Sequence, residues 1–152
     1  MNSGCVVGTD IWVLDGTTKS VEDLEVGEDV LIYSLHEGLT EHERISKISS
    51  SIKEEYLTIN GDVTVATNQF FLRNTTGSSV SEIKHWTSAE NLNVGDEIEC
   101  LDGNDPFNRN PSSSKVETIQ NYSGSINVYH IEILGREEGY FTEKYLLRET
   151  IV

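Results

Sequence analysis

Long apolar runs are missing from this 152-residue chain. No uninterrupted stretch of aliphatic and aromatic residues exceeds four, as in Ile11-Trp12-Val13-Leu14 or Val30-Leu31-Ile32-Tyr33. A membrane-spanning helix needs about 20 such residues, so none is encoded. Basic residues are also scarce: 11 Lys and Arg face 26 Asp and Glu, a formal net charge of −15. Phosphate neutralisation supplies most non-specific affinity for nucleic acid, so that partner is not expected, and anionic membranes are disfavoured for the same reason. The acids are spread along the chain and read as a solvated, self-repelling surface. Only 2 Pro and 2 Cys occur. Neither Cys5 nor Cys100 belongs to a CxxC pair or a cluster of His, so no metal motif is present, and no cofactor motif is found either. The two stand as separate thiols or as one disulfide. No basic-then-apolar leader opens the chain.

What is present suits one compact domain. Hydrophobic residues make up 36% of the chain and charged residues 24%, at a length where roughly 68–70% of the unfolded surface can be buried. The periodicity is short and strand-like. Asp29-Val30-Leu31-Ile32-Tyr33, Asp62-Val63-Thr64-Val65 and Ser125 through Ile133 are rich in β-branched and aromatic residues. Turn dipeptides separate them: Asp15-Gly16, Asn60-Gly61, Asp102-Gly103 and Ser123-Gly124. This pattern predicts an all-β domain. Helical signal is confined to two single turns, Ser20 to Leu24 and Ser88 to Leu92, each with a Ser near its start.

Those turns open an internal repeat. Leu24-Glu25-Val26-Gly27-Glu28-Asp29-Val30 matches Leu92-Asn93-Val94-Gly95-Asp96-Glu97-Ile98, an offset of 68. Arg44 to Ile48 is then echoed by Lys115 to Ile119, Tyr56 to Ile59 by Tyr129 to Ile133, and Gln69 to Leu72 by Tyr145 to Leu147. Two units of about 70 residues, each too small to cover its own sheet, are expected to pack about a pseudo-twofold axis. Between matching parts, Asp102 to Ser114 holds both prolines and reads as a surface loop. Its Asp102, Asn104 and Asp105 miss the spacing of a calcium loop. The cluster of His36, Glu37, Glu41, His42 and Glu43 around Gly38 has neither the spacing nor the helical context of a zinc site, and His85 beside Trp86 reads as surface or packing. The Asn74 and Asn121 glycosylation patterns are taken as chance matches.

The motifs then carry a resemblance. Cys5-Val6-Val7-Gly8-Thr9-Asp10, Leu14-Asp15-Gly16 and the Val21 to Asp29 segment resemble the opening of a Hint domain, the module shared by inteins and hedgehog autoprocessing domains. Trp86-x-x-Ala89-x-x-Leu92-x-x-Gly95-Asp96 resembles its middle segment. Val128 to Ile133, Gly139-Tyr140-Phe141 and Tyr145-Leu146-Leu147 resemble its closing strands. The resemblance spans 5–149, leaving 1–4 and 150–152 as flanks, and implies an all-β horseshoe-like disc with a pseudo-twofold. The Pro-containing loop falls where many inteins carry an endonuclease, for which this chain has no room.

The resemblance implies a chemistry: Cys5 attacks the Gly4 carbonyl, turning the peptide bond into a thioester, and an acid protonates the departing nitrogen. It also shows departures. Ala66 stands at the position of the family's Thr and Gln69 at that of its His. The terminal His-Asn pair falls on Arg148 and Glu149. Gln cannot donate a proton by titrating, and a Glu carboxylate lacks the nitrogen nucleophile of Asn. His130, in the closing strand, is a candidate substitute acid. Two readings follow. One is a catalytically impaired Hint fold kept as a structural or interaction module, its partner a protein (flanking polypeptide or assembly partner). The other is autoprocessing at Gly4–Cys5. Related domains in virus and phage structural genes make a particle component conceivable, so a soluble, cytoplasmic or virion-associated location is expected over a secreted one.

Overall fold

A computed structural model describes residues 4–34, 39–76, 82–102, 110–134 and 139–148. Within these residues thirteen strands follow in order: β1 Cys5–Val6, β2 Asp10–Trp12, β3 Thr18–Ser20, β4 Asp29–Ser34, β5 Leu39–Ile59, β6 Val63–Ala66, β7 Phe70–Thr76, β8 Glu82–Ser88, β9 Glu97–Asp102, β10 Asn110–Lys115, β11 Ile119–Ile133, β12 Tyr140–Phe141 and β13 Leu146–Arg148. Among the described residues there is no α-helix, and no helix long and apolar enough to cross a membrane. The all-β expectation holds.

The 21-residue β5 organises the fold. Its first part pairs with β4 and its remainder with β11, from Ile45↔Ile133 to Ile59↔Ile119. Strand β1 lies between β11 and β6, and β6 pairs back onto β5. These four strands therefore close on one another. Alternation along them turns Cys5, Leu57, Ile59, Val65 and Ile131 into the main core, with Phe71, Tyr140 and Tyr145 from the other strands.

The repeat is visible bond by bond. Leu24 N–H donates to Val21 O at 3.3 Å, and Leu92 N–H to Ala89 O at 3.2 Å. Gly27 N–H donates to Ile45 O at 3.0 Å, and Gly95 N–H to Val116 O at 2.8 Å. Each turn also caps itself: Glu28 Oε1 accepts from Glu25 N–H at 2.7 Å and Asp96 Oδ2 from Asn93 N–H at 2.8 Å. Gly27 and Gly95 have φ of 97° and 101°, a region side chains disfavour, which is why both units keep glycine there. The structure extends the repeat upstream of the sequence match. The β2–β3 pair Asp10↔Ser20 corresponds to the β7–β8 pair Phe70↔Ser88, and the Val13↔Val30 bridge to Arg73↔Ile98. Backbone pairing repeats there while side-chain identity does not.

Two local expectations change. Ser20 and Ser88 precede single 3-10 turns, but neither caps its turn through the side chain; Ser20 Oγ instead reaches Asp10 Oδ1 at 3.4 Å. Part of the Pro-containing loop is a strand, since 110–115 form β10 with Pro111 opposite Leu101. Among the described residues β10 pairs only with β9, at the sheet edge, where a residue without an N–H is tolerated. Residues 103–109, with Asn104 and Asp105, lie outside the described residues, as do His36, Glu37 and Gly38. The Asn74 side chain is buried and donates to Glu99 Oε1 at 2.7 Å, which fits a chance glycosylation match.

A polar clasp ties the turn before β6 to the turn before β13. Lys144 Nζ lies 2.9 Å from Asp62 Oδ2, and Tyr145 OH donates to the same oxygen at 2.9 Å. The Lys144 hydrogen bond holds the Asp62 carboxyl below its usual value, the same contact raises Lys144, and burial raises the Tyr145 phenol. A depressed carboxyl stabilises the fold above its unfolded value near 4 and stops doing so as pH falls through its folded value; a raised ammonium does so below its unfolded value near 10.5. Asp62→Asn is thus expected to cost about 0.2–1 kcal/mol at pH 7, since both partners are over a third exposed. The gap should shrink below about pH 3. Thermal melts of both proteins at the two pH values check this, and a gap unchanged in acid would show that the charge is not what matters.

Candidate functional site

The Gly4–Cys5 peptide enters the closed group of strands at the head of β1. Cys5 is fully buried, opposite Tyr129 on one side and Val65 on the other. Cys100 is buried as well, and neither thiol is in a disulfide. The Gly4 carbonyl accepts the Ala66 N–H at 3.1 Å. The Gly4 N–H donates to Gln69 Oε1 at 2.8 Å, a bond wholly inside the protein. Gln69 Nε2 donates to Arg148 O at 2.6 Å and to Phe70 O at 3.1 Å. One buried amide side chain thereby joins the start of β1 to the end of β13.

The backbone around Gln69 is equally fixed. Its N–H closes a turn on Ala66 O at 3.0 Å, and its carbonyl accepts the Ala89 N–H at 2.7 Å. Arg148 contributes its carbonyl to the site, while its guanidinium lies over the Trp86 ring, 5.5 Å from the centroid. His130, on β11 next to Tyr129, is buried. Its Nε2 is 3.0 Å from Ser51 Oγ. Its Nδ1 and Cε1 lie 3.1 and 3.0 Å from where a Cβ on Gly4 would sit.

Six residues singled out in the sequence thus meet at one place: Gly4, Cys5, Ala66, Gln69, His130 and Arg148. Glu149 lies outside the described residues. Ser51 was missed. Nothing in the run Ser49-Ser50-Ser51 marks it; only the β5–β11 register brings it to a histidine 79 positions away.

The arrangement can do part of an acyl shift. A cysteine thiol reaches the preceding carbonyl carbon through a five-membered ring. The Ala66 N–H is placed to stabilise charge developing on that oxygen. The weak point is the proton for the Cys5 nitrogen, because Gln69, bonded to the neighbouring Gly4 nitrogen, is an amide that does not titrate.

Comparison with solved structures bears on the fold. The crystal structure of the TvoVMA intein superposes with a TM-score of 0.76 at 16% identity, over 99% of this chain and 98% of that one. A DnaB intein from Synechocystis sp. PCC 6803 gives 0.77 at 15% identity, over 98% and 99%. The chain has the intein fold. A bacterial intein-like domain from Clostridium thermocellum is similar too, with a TM-score of 0.70 at 16% identity over 97% of this chain and 98% of that one. No family model and no curated protein matches the sequence. The Hint fold therefore persists here at 15–16% identity, and the coverage leaves no large insertion in either chain.

Proposed function

We propose that this Hint-fold domain is arrested at its upstream junction and serves as a structural or interaction module within a larger protein assembly. One observation carries the reading: Gln69, fully buried, spends its amide on holding Gly4 N–H and Arg148 O together. A group in that place that could deliver a proton would drive the reaction; this one stabilises the unreacted junction. The partner is a polypeptide, either one continuous with the domain or one that assembles with it, and a virus or phage particle is a fitting setting. The net charge of −15 argues against nucleic acid as that partner.

A second reading, autoprocessing at Gly4–Cys5, is favoured by the His130 ring beside Gly4. In that reaction the Cys5 sulfur bonds to the Gly4 carbonyl carbon, the C–N bond breaks, and the Cys5 nitrogen gains a proton while the thiol loses one. An external thiol then takes the acyl group by exchange.

Fusing foreign segments to both ends separates the readings. Intact masses are measured with and without excess small thiol. The arrested domain should show neither a ligated product of the two segments nor a thiol-released upstream segment over a day. Release that is rapid in the parent and lost in His130→Ala would establish the second reading. A ligated product would defeat both.

A further inference from the structure

We infer that Tyr129 O and the His130 ring, held in place by Ser51, form a glycine-reading subsite for the residue that precedes Cys5, so that any segment joined at Cys5 must end in glycine. The inference rests on Gly4–Cys5 being the domain's junction, and adds what that junction selects. A Cβ built on Gly4 would lie 2.8 Å from Tyr129 O, 3.0 Å from His130 Cε1 and 3.1 Å from His130 Nδ1. The first distance is shorter than real side chains show, and the others are tighter than most packing contacts. Gly4 also has φ of 150°, where an L side chain is strained in its own right.

The two walls differ in kind. Tyr129 pairs with Cys5 on one side and Ser50 on the other, so its carbonyl sits in a strand bonded along both edges and cannot retreat. The His130 wall is a side chain that could in principle swing away. The contact between its Nε2 and Ser51 Oγ at 3.0 Å, together with its burial, keeps the ring where it meets residue 4. Ser51 is therefore a positioning residue, and selectivity for glycine is divided between a fixed backbone wall and a pinned ring. The ring that reads residue 4 is also the one invoked as a proton source, which ties recognition of the upstream residue to the reacting bond.

The test is a thermal double-mutant cycle on the full chain, with Gly4→Ala, His130→Ala, Ser51→Ala and the two pairs containing Gly4→Ala. Gly4→Ala should lower the midpoint by about 5–10 °C. The pair with His130→Ala should lose less than the sum of its single changes by at least about 2 °C, and the pair with Ser51→Ala should show a smaller coupling of the same sign. If Gly4→Ala alone does not fold, recovery of a cooperative transition in the Gly4→Ala/His130→Ala pair gives the same support. Additive effects, or Gly4→Ala melting within about 1 °C of the parent, would overturn the subsite. A parallel arm measures thiol-induced release in a Gln69→His background, where Gly4→Ala should reduce it more than tenfold. Coupling without release in any background would uphold the steric subsite and reject Gly4–Cys5 as a reacting junction, so the two failures are told apart.

Discussion

Replacing Gln69 with histidine is expected to raise thiol-induced cleavage of the Gly4–Cys5 bond by about 10²-fold or more, from a parent in which it is barely detectable. The expectation follows from what the present side chain does. Gln69 Oε1 is already 2.8 Å from the Gly4 nitrogen, one residue from the bond to be broken, and its backbone is fixed by the Ala66 and Ala89 contacts. An imidazole on that backbone starts one residue from the leaving nitrogen, with an ordinary pKa of about 6.5 suited to proton transfer near neutrality. General acid help of about 10²–10⁴-fold corresponds to roughly 3–5 kcal/mol of barrier. The Ala66 N–H already binds the carbonyl oxygen, so oxyanion stabilisation need not be rebuilt. Rescue should be incomplete, because Ala66 has no hydroxyl to add a second contact. Mass spectrometry after incubation with excess thiol reads the outcome. No cleavage in an Ala66→Thr/Gln69→His double variant would mean that the acid is not what the site lacks.

The opposite change at the same position should be costly for a different reason. Gln69→Leu keeps a comparable volume but strips three hydrogen bonds, to Gly4 N–H, Phe70 O and Arg148 O. A buried polar group left unsatisfied costs about 1–3 kcal/mol, and at least Gly4 N–H would be left so deep inside the protein. A total of about 3–5 kcal/mol corresponds to a fall in the thermal midpoint of roughly 8–15 °C for a domain of this size. Ile52→Ala is the control: this side chain is 65% exposed and its loss should change the midpoint little. If Gln69→Leu melts within about 2 °C of the parent, the amide clamp contributes nothing and the arrested-junction reading loses its support.

These two variants divide the roles of one residue. Histidine tests whether chemistry is missing only its acid, and leucine tests whether the present amide has become structural. A domain kept for its architecture should fail the second change badly. A domain with a recoverable site should gain from the first. Both can hold together, because the bond between the Gly4 carbonyl and the Ala66 N–H is made by the backbone and not by the side chain at position 69.

Much of the fold was legible because its signals are local. The Leu-x-Val-Gly turns announce themselves through a glycine at positive φ and an acid that caps its own turn, and both requirements act within four residues. The apolar run in β4 likewise follows from burial on both faces, Val30 and Ile32 in one cluster and Leu31 and Tyr33 in another, and the pattern in β6 from one buried face. The correspondence between the upstream hairpins escaped notice because Ile11-Trp12 and Phe71-Leu72 need only be apolar to fill equivalent places. Pro111 suggested a loop because the sequence does not say which strand will be an edge.

By itself, then, the sequence determined the all-β class and the two-unit repeat, since each rests on residue identity or short-range spacing. The tertiary structure decided where Gln69 and His130 sit and what they touch. That Gln69 bridges Gly4 and Arg148, and that Ser51 pins His130 against Gly4, depends on register between strands separated by up to 79 residues. Such a register is fixed by the summed pairing of β5 with β11 and the closure of β1 and β6 around it, not by any one residue in either strand. A hydrogen bond between two ordinary polar residues leaves no local mark, and it exists only once those strands have closed.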